Sequence, residues 1–271
     1  MHFGRTNEPA PLTYGGYLRV PELLALQELK SSPPRHDETL FIIIHQVYEL
    51  WFKQLLHELD TIIGHLHGDE VLAAHRLVRR CIEIQRVLVS QIAVLETMTP
   101  MHFLAFRDHL MPASGFQSAQ FRELEFLCGL KEPRYLNFFD PSSPEYAKLQ
   151  RRMADGTLGE AFDDLLTRRG FPMPRKLDDA AHAVRMDSLT RLYHEADQHY
   201  DLFLLTESLI EFDEQFVLWR LRHVKMVERM IGTKTGTGGT TGAAYLRTTT
   251  DKFFFPDLWE VRGRLGTGAA W

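Results

Sequence analysis

Two histidines and one arginine stand at positions where this sequence could do chemistry. His45 follows Phe41-Ile-Ile-Ile44 in the middle of an apolar helical stretch. An imidazole buried there needs a partner, because an unsatisfied polar group in apolar surroundings costs roughly 1–3 kcal/mol. The ordinary solution is a core histidine bonded to a backbone carbonyl or to Tyr48; the other is a ring held ready for a ligand. His223 lies in Leu218-Trp-Arg-Leu-Arg-His-Val-Lys-Met226, near the end of a long helical pattern. A neutral imidazole projecting from a rigid helix into an apolar pocket is what a haem iron requires of its axial ligand. A histidine favoured by the dipole of the last helical turn fits the same pattern. Arg107, in Phe106-Arg-Asp-His109, could grip a carboxylate with both edges of its guanidinium, or pair with Asp108 or a nearby glutamate. With 13 histidines in the chain, position alone marks none of them.

The segment 232–242, Gly-Thr-Lys-Thr-Gly-Thr-Gly-Gly-Thr-Thr-Gly, is rich in hydroxyls and free of bulk. It lacks the Lys-Ser/Thr spacing of a phosphate-binding loop, and no strand precedes it. A mobile loop closing over a small substrate is the better reading. Other chemistries have no motif behind them: the sequence contains no Cys-x-x-Cys, His-Glu-x-x-His or Gly-x-Ser-x-Gly. Cys-x-x-Cys-His is absent too, so a haem would be held without covalent attachment.

The elements that must position these residues are helical, since apolar residues recur at helical spacing and alternation is scarce. The predicted fold class is all-α, a bundle of long antiparallel helices. Residues 1–20 read as an extended arm carrying Tyr14 and Tyr17 in a Gly turn, and a tail of that kind docks onto something. A short helix is expected over Pro21–Leu29. A long one runs from Asp37 or Glu38 to about Leu66, with Phe41, His45, Tyr48, Phe52, Leu55 and Leu59 on one face. A second follows from about Glu70 to Met98, with Leu72, His75, Val78, Ile82, Val87, Ile92 and Leu95 inward. A shorter piece covers Phe103–Leu110. Ser118 caps a helix over Ala119–Leu130. Short helices joined by proline turns fill 131–186, and the periodic run 187–231 is either one very long helix or two packed together. Phe253-Phe-Phe-Pro-Asp-Leu-Trp259 is too apolar for a free tail and should pack on the body or on a neighbour.

The chain has 271 residues, 44% of them hydrophobic, enough to bury a sizeable core as one domain. The formal net charge of -5, with both signs mixed, argues against a general nucleic-acid binder. The two cysteines, Cys81 and Cys128, point to a reducing compartment. The first residues lack the apolar core of a secretory signal, and Leu40–Leu56 is interrupted by His45, Glu49 and Lys53. A cytoplasmic protein without a membrane span is expected.

Six stretches, in this order, resemble the tryptophan 2,3-dioxygenase family: LTYGGYL (12–18), HDETLFIIIHQVYELWFKQLLHEL (36–59), VLETMTP (94–100), FRDHLMPASGFQS (106–118), LWRLRHVKMVERMIG (218–232) and GTGGTTG (236–242). The resemblance implies an all-helical haem b enzyme, usually a homotetramer, that opens the indole ring of L-tryptophan with O₂ to give N-formylkynurenine. It implies His223 as the proximal iron ligand and His45 as the distal residue that bonds the indole N–H. Arg107 would bind the substrate carboxylate, and Thr237 would hold the amino-acid backbone as the loop closes. Phe41, Phe103 and Leu110 would wall the indole pocket, and Ser114 would sit at the haem edge. Tyr14 and Tyr17 would reach into the site of an adjacent subunit.

Two departures from the family pattern involve three positions. Thr240 and Thr241 stand where two serines are usual, and Ile44 stands where polar residues are common. They leave open a second reaction, insertion of one oxygen into a substituted tryptophan. A haem-binding gas sensor is the third reading, and it has no use for Arg107, His45 and the Gly loop together.

Overall fold

Thr13 starts the first helix among the described residues. Its hydroxyl accepts from the Gly16 N–H at 3.1 Å, capping α1 (Tyr14–Leu18), and α2 (Val20–Leu23) follows with Pro21 in its first turn. These helices belong to a computed structural model that describes residues 11–176, 178–236 and 242–266. The arm is therefore helical over most of 14–23 where an extended chain was expected, because the Thr13 cap satisfies N–H groups that two adjacent glycines alone would leave open. The helix expected over Pro21–Leu29 ends at Leu23.

The next helix, α3 (His36–His67), begins with Asp37 and Glu38 in the turn where negative charge suits the dipole. Glu38 is fully buried and accepts from the N–H groups of Lys30 and Ser31 at 2.6 and 3.0 Å, which fastens the preceding loop to the helix. Gly68 ends α3, and after a tight turn α4 (Val71–Leu95) returns antiparallel. Leu77, Val78, Cys81, Ile82, Leu88 and Ile92 form its buried stripe. Leu72 and Val87, expected inward, are exposed. Each lies one residue off that stripe, and one residue turns a helix by about 100°. His75 is half-buried and pairs with Ser208 at 3.0 Å.

Thr99 caps α5 (Pro100–Arg107), with its hydroxyl accepting from the His102 N–H at 3.2 Å, and a single 3₁₀ turn carries the chain through Leu110. The loop 111–118 leads to α6 (Ala119–Leu127), which Ser118 caps as expected but which stops three residues short of Leu130. The middle of the chain holds α7 (Pro144–Ala154) and α8 (Leu158–Arg168). The long periodic run is two helices, α9 (Asp179–His194) and α10 (Tyr200–Ile231). Short α11 (Ala243–Arg247) and α12 (Pro256–Glu260) close the described chain.

Helix α4 packs lengthwise against both α3 and α10. The pairs His75–Ser208, Arg86–Glu211 and Glu96–Arg222 advance together, so α10 runs parallel to α4 and antiparallel to α3. The core between them holds Leu55, Leu59, Ile62, Ile82, Leu205, Leu209 and Phe212, and each contributes on the order of 2 kcal/mol by burial. Phe254, Phe255 and Leu258 are buried, as the apolar closing segment required. Among the described residues there is no strand, and no single helix is long and apolar enough to cross a membrane.

Candidate active site

A smaller apolar cluster closes one end of the bundle: Ile44, Ile92, Leu95, Met98, Phe106, Met226 and Met230. Beside it opens a cavity of about 330 Å³ between α3, α5, α6 and α10. Phe41 and His45 come from α3, Phe103 and Arg107 from α5, and Trp219 and His223 from α10. Ser114 lines it from the loop before α6, where its hydroxyl accepts from the Phe116 N–H at 3.4 Å and the Gln117 side chain accepts from the Ser114 N–H at 3.1 Å.

The two histidines differ in how they are held. His45 Nδ1 lies 2.6 Å from the Phe41 carbonyl, which only accepts, so Nδ1 carries the proton and Nε2 offers a lone pair. Its ring lies 4.1 Å from Phe41, centre to centre. Surface remains open on it because it faces the cavity, while burial among the walls keeps its pKa below the usual 6.5. The Phe41 carbonyl and the Glu49 carboxylate offset part of that effect. His223 has no hydrogen-bond partner on the ring among the described residues. It stacks on Trp219, with centroids 5.3 Å apart and planes within 7°. Burial, with a smaller contribution from His45, brings its pKa down to about 4, so it is a neutral imidazole at physiological pH.

Arg107 has no carboxylate partner among the described residues; one Nη donates to the Thr235 carbonyl. A half-buried guanidinium without a counter-ion in an apolar cavity is poised for an anion. Phe41 and Phe103 stack at 5.7 Å with 30° between planes, and Phe106 meets both edge-on. The cavity thus offers an apolar slot, a hydrogen-bond acceptor at one wall, an anion-binding cation at its rim and an unengaged imidazole.

A sequence profile of tryptophan 2,3-dioxygenases matches residues 4–151 and 160–265. The chain belongs to the tryptophan 2,3-dioxygenase family. It is 49% identical over 261 residues to the tryptophan 2,3-dioxygenase of a Nocardioides species, which covers 94% of this chain and 96% of that protein. It is 47% identical over 258 residues to that of Herpetosiphon aurantiacus, covering 94% and 98%, and 45% identical over 266 residues to that of an Anaeromyxobacter species, covering 94% and 97%. As a member of this dioxygenase family the chain is an enzyme, and the haem chemistry of the family can be tested against the cavity.

The residues fit a haem. His223 supplies a neutral imidazole, without a hydrogen-bond partner among the described residues, from within a long helix. The cavity is also lined by Arg122 and Arg220, both buried and both paired with the carboxylate of Glu125. The Nε atoms of both arginines are buried without a partner among the described residues, so each has an N–H to offer an acidic side group. Tyr135 and Tyr245, hydroxyl to hydroxyl at 2.7 Å, line the cavity as well, and the Arg122 guanidinium lies 4.0 Å from the Tyr135 ring centre.

Of the residues singled out in the sequence, Phe41, His45, Phe103, Arg107, Ser114 and His223 come together here. Leu110 packs on the apolar cluster behind the wall. Tyr14 and Tyr17 lie outside this chain's own cavity, 80% and 71% exposed. Thr237, Thr240 and Thr241 fall outside the described residues. Ile44 is 5% exposed in the cluster and does not line the cavity, so this departure leaves the pocket surface unchanged. Sequence reasoning missed Trp219, Arg122, Arg220, Tyr135 and Tyr245. Trp219 was within reach, one helical turn before His223; nothing local linked Tyr135 to Tyr245.

Proposed function

We propose that the protein cleaves the indole C2–C3 bond of L-tryptophan with O₂ to give N-formylkynurenine. The observation that carries this is the placement of Arg107, without a counter-ion, at the rim of a cavity that also holds a lone-pair nitrogen of His45 and the unengaged imidazole of His223. His223 would ligate haem b, with Arg122, Arg220 and Tyr245 holding its acidic groups and Ser114 at its edge. Haem, once bound, supplies the electronic activation that lets dioxygen react with an indole.

This chain's own residues then do the positioning. Arg107 binds the carboxylate in a fork of N–H groups, which fixes one end of the substrate and rejects indoles without that group. The indole N–H donates to Nε2 of His45, whose tautomer the Phe41 carbonyl sets. Phe41 and Phe103 flank the slot and exclude water, so the ring is held for attack at C2 and C3. Each of the two carbons receives one oxygen atom as the bond between them breaks, and no external reductant is consumed. Insertion of a single atom, the alternative left open by the sequence departures, finds no supporting feature among the described residues: Ile44 is off the cavity surface, and the relatives are named dioxygenases.

The exposed apolar side chains of the arm, Leu12, Tyr14, Tyr17, Leu24 and Leu26, support its docking on a second copy, within the homotetramer usual for the family. Buried free thiols at Cys81 and Cys128 accord with a cytoplasmic setting. The deciding experiment is single-turnover mass spectrometry of the reduced, haem-loaded protein with L-tryptophan under ¹⁸O₂. Two labelled atoms in one formylkynurenine product are expected; one labelled atom, or no product, would overturn the assignment.

A further inference from the structure

The rim beside Arg107 is built on an unusually close backbone approach. Helix α10 ends at Gly232 and α11 starts after Gly242, and both glycines have the same backbone, φ 58° and ψ -125° at Gly232 and φ 59° and ψ -125° at Gly242. Side chains rarely tolerate that conformation. Their surroundings differ. A Cβ on Gly232 would meet nothing within 4 Å, whereas one on Gly242 would lie 2.8 Å from the Lys234 carbonyl oxygen and 3.6 Å from the Gly236 nitrogen. The Lys234 N–H in turn donates to the Ile231 carbonyl at 3.1 Å, which fastens this stretch to the end of α10. Next along the chain, the Thr235 carbonyl accepts from Arg107. Gly236 and Gly242 both line the cavity.

We propose that Gly242 is a positioning residue for the carboxylate-binding Arg107. Its missing side chain lets Lys234 pack against the start of α11. That contact sets the Thr235 carbonyl where one edge of the guanidinium is held, and the remaining N–H groups are left for the substrate. The inference rests on the reading of Arg107 as the carboxylate anchor, and it adds the backbone that aims it. Any larger residue at 242 pushes against a backbone carbonyl, which has no flexible end to yield.

The test compares L-tryptophan with tryptamine, which lacks only the carboxylate, by the Soret shift of the haem-loaded ferric protein on titration. In Gly242→Ala the Kd for tryptophan should rise about tenfold or more, while tryptamine binding and haem content change by less than about twofold. KM should rise more than kcat falls. Gly232→Ala carries the same backbone strain without the clash and should keep the preference for tryptophan. Addition of Gly242→Ala to Arg107→Leu should cost no further affinity.

Equal losses for tryptophan and tryptamine, an equal selective loss in Gly232→Ala, or additivity with Arg107→Leu would overturn the proposal. A wild-type protein that does not prefer tryptophan over tryptamine would instead remove the Arg107 reading itself. Hydrogen exchange of residues 232–236 and 242–246 in the wild-type holoprotein needs no variant to fold. Protection by tryptophan and not by tryptamine is expected, and equal protection counts against the coupling.

Discussion

His45 and His223 share one cavity and divide its work by what their ring nitrogens touch. His223 has no hydrogen-bond partner among the described residues and is the proposed iron ligand, so His223→Ala should lose haem, read as Soret absorbance per chain after gel filtration. In the proposed function His45 contributes one hydrogen bond to the substrate. His45→Ser should keep haem and lose about tenfold in kcat/KM, the equivalent of roughly 1.4 kcal/mol. Loss of haem in His45→Ser would show that the two roles are exchanged. If Arg107 anchors the substrate carboxylate as proposed, Arg107→Leu removes a charge-assisted pair of about 1.5–3 kcal/mol per bond, and KM for tryptophan should rise roughly a hundredfold. Burial lowers the pKa of His45 below the 6.5 of a free imidazole, so its folded form takes up its proton later than the unfolded chain does. Its contribution to stability is therefore complete above pH 6.5 and is lost as the solution is acidified through the lower folded value. Thermal melts of the apoprotein should fall on acidification below neutrality, and less steeply in His45→Ser.

At the scale of elements, the site depends on α10 being held along its length. Asp213, fully buried one and a half turns before Trp219, accepts from the N–H groups of Phe254 and Phe255 and from the Trp259 indole at 3.1 Å. It ties the closing segment to the helix that carries His223. Asp213→Ala leaves those donors without a partner, at about 1–3 kcal/mol each. A stability loss of roughly 3 kcal/mol in urea unfolding is expected, with 253–259 becoming protease-sensitive. Unchanged stability would mean that apolar packing of Phe254, Phe255 and Leu258 suffices.

The whole molecule leaves an unusual amount of apolar surface on its first described residues. Leu12, Tyr14 and Leu24 are 79%, 80% and 70% exposed, which supports the proposed docking of the arm on a second copy. Light scattering should find a tetramer, and removal of residues 1–26 should reduce the assembly and the activity while leaving the helical signal of the body. A fully active truncated chain would separate the arm from the site.

The helices were legible in the sequence because apolar spacing in α3, α4 and α10 reports which face meets the core, whatever the partner is. His45, His223 and Arg107 were legible as candidates, and the ordered family stretches chose among their readings. Boundaries and rotations were not: Leu72 and Val87 look inward by type, but only the packing of α4 between α3 and α10 fixes which stripe is buried. The Thr13 cap likewise made a helix of Tyr14–Leu18, where an extended chain was expected. The cavity itself is a tertiary product. Arg122 and Arg220 look like ordinary surface charges until folding sets both against Glu125, and Tyr135 meets Tyr245 across 110 positions of chain. The same holds for Gly242, one glycine among 18 in the sequence. Only the approach of the Lys234 carbonyl, which depends on how α10 ends and α11 begins, makes the absence of its side chain matter. Local periodicity is written in neighbouring residues, whereas the contacts that aim a guanidinium or balance a charge exist only between segments that the fold brings together.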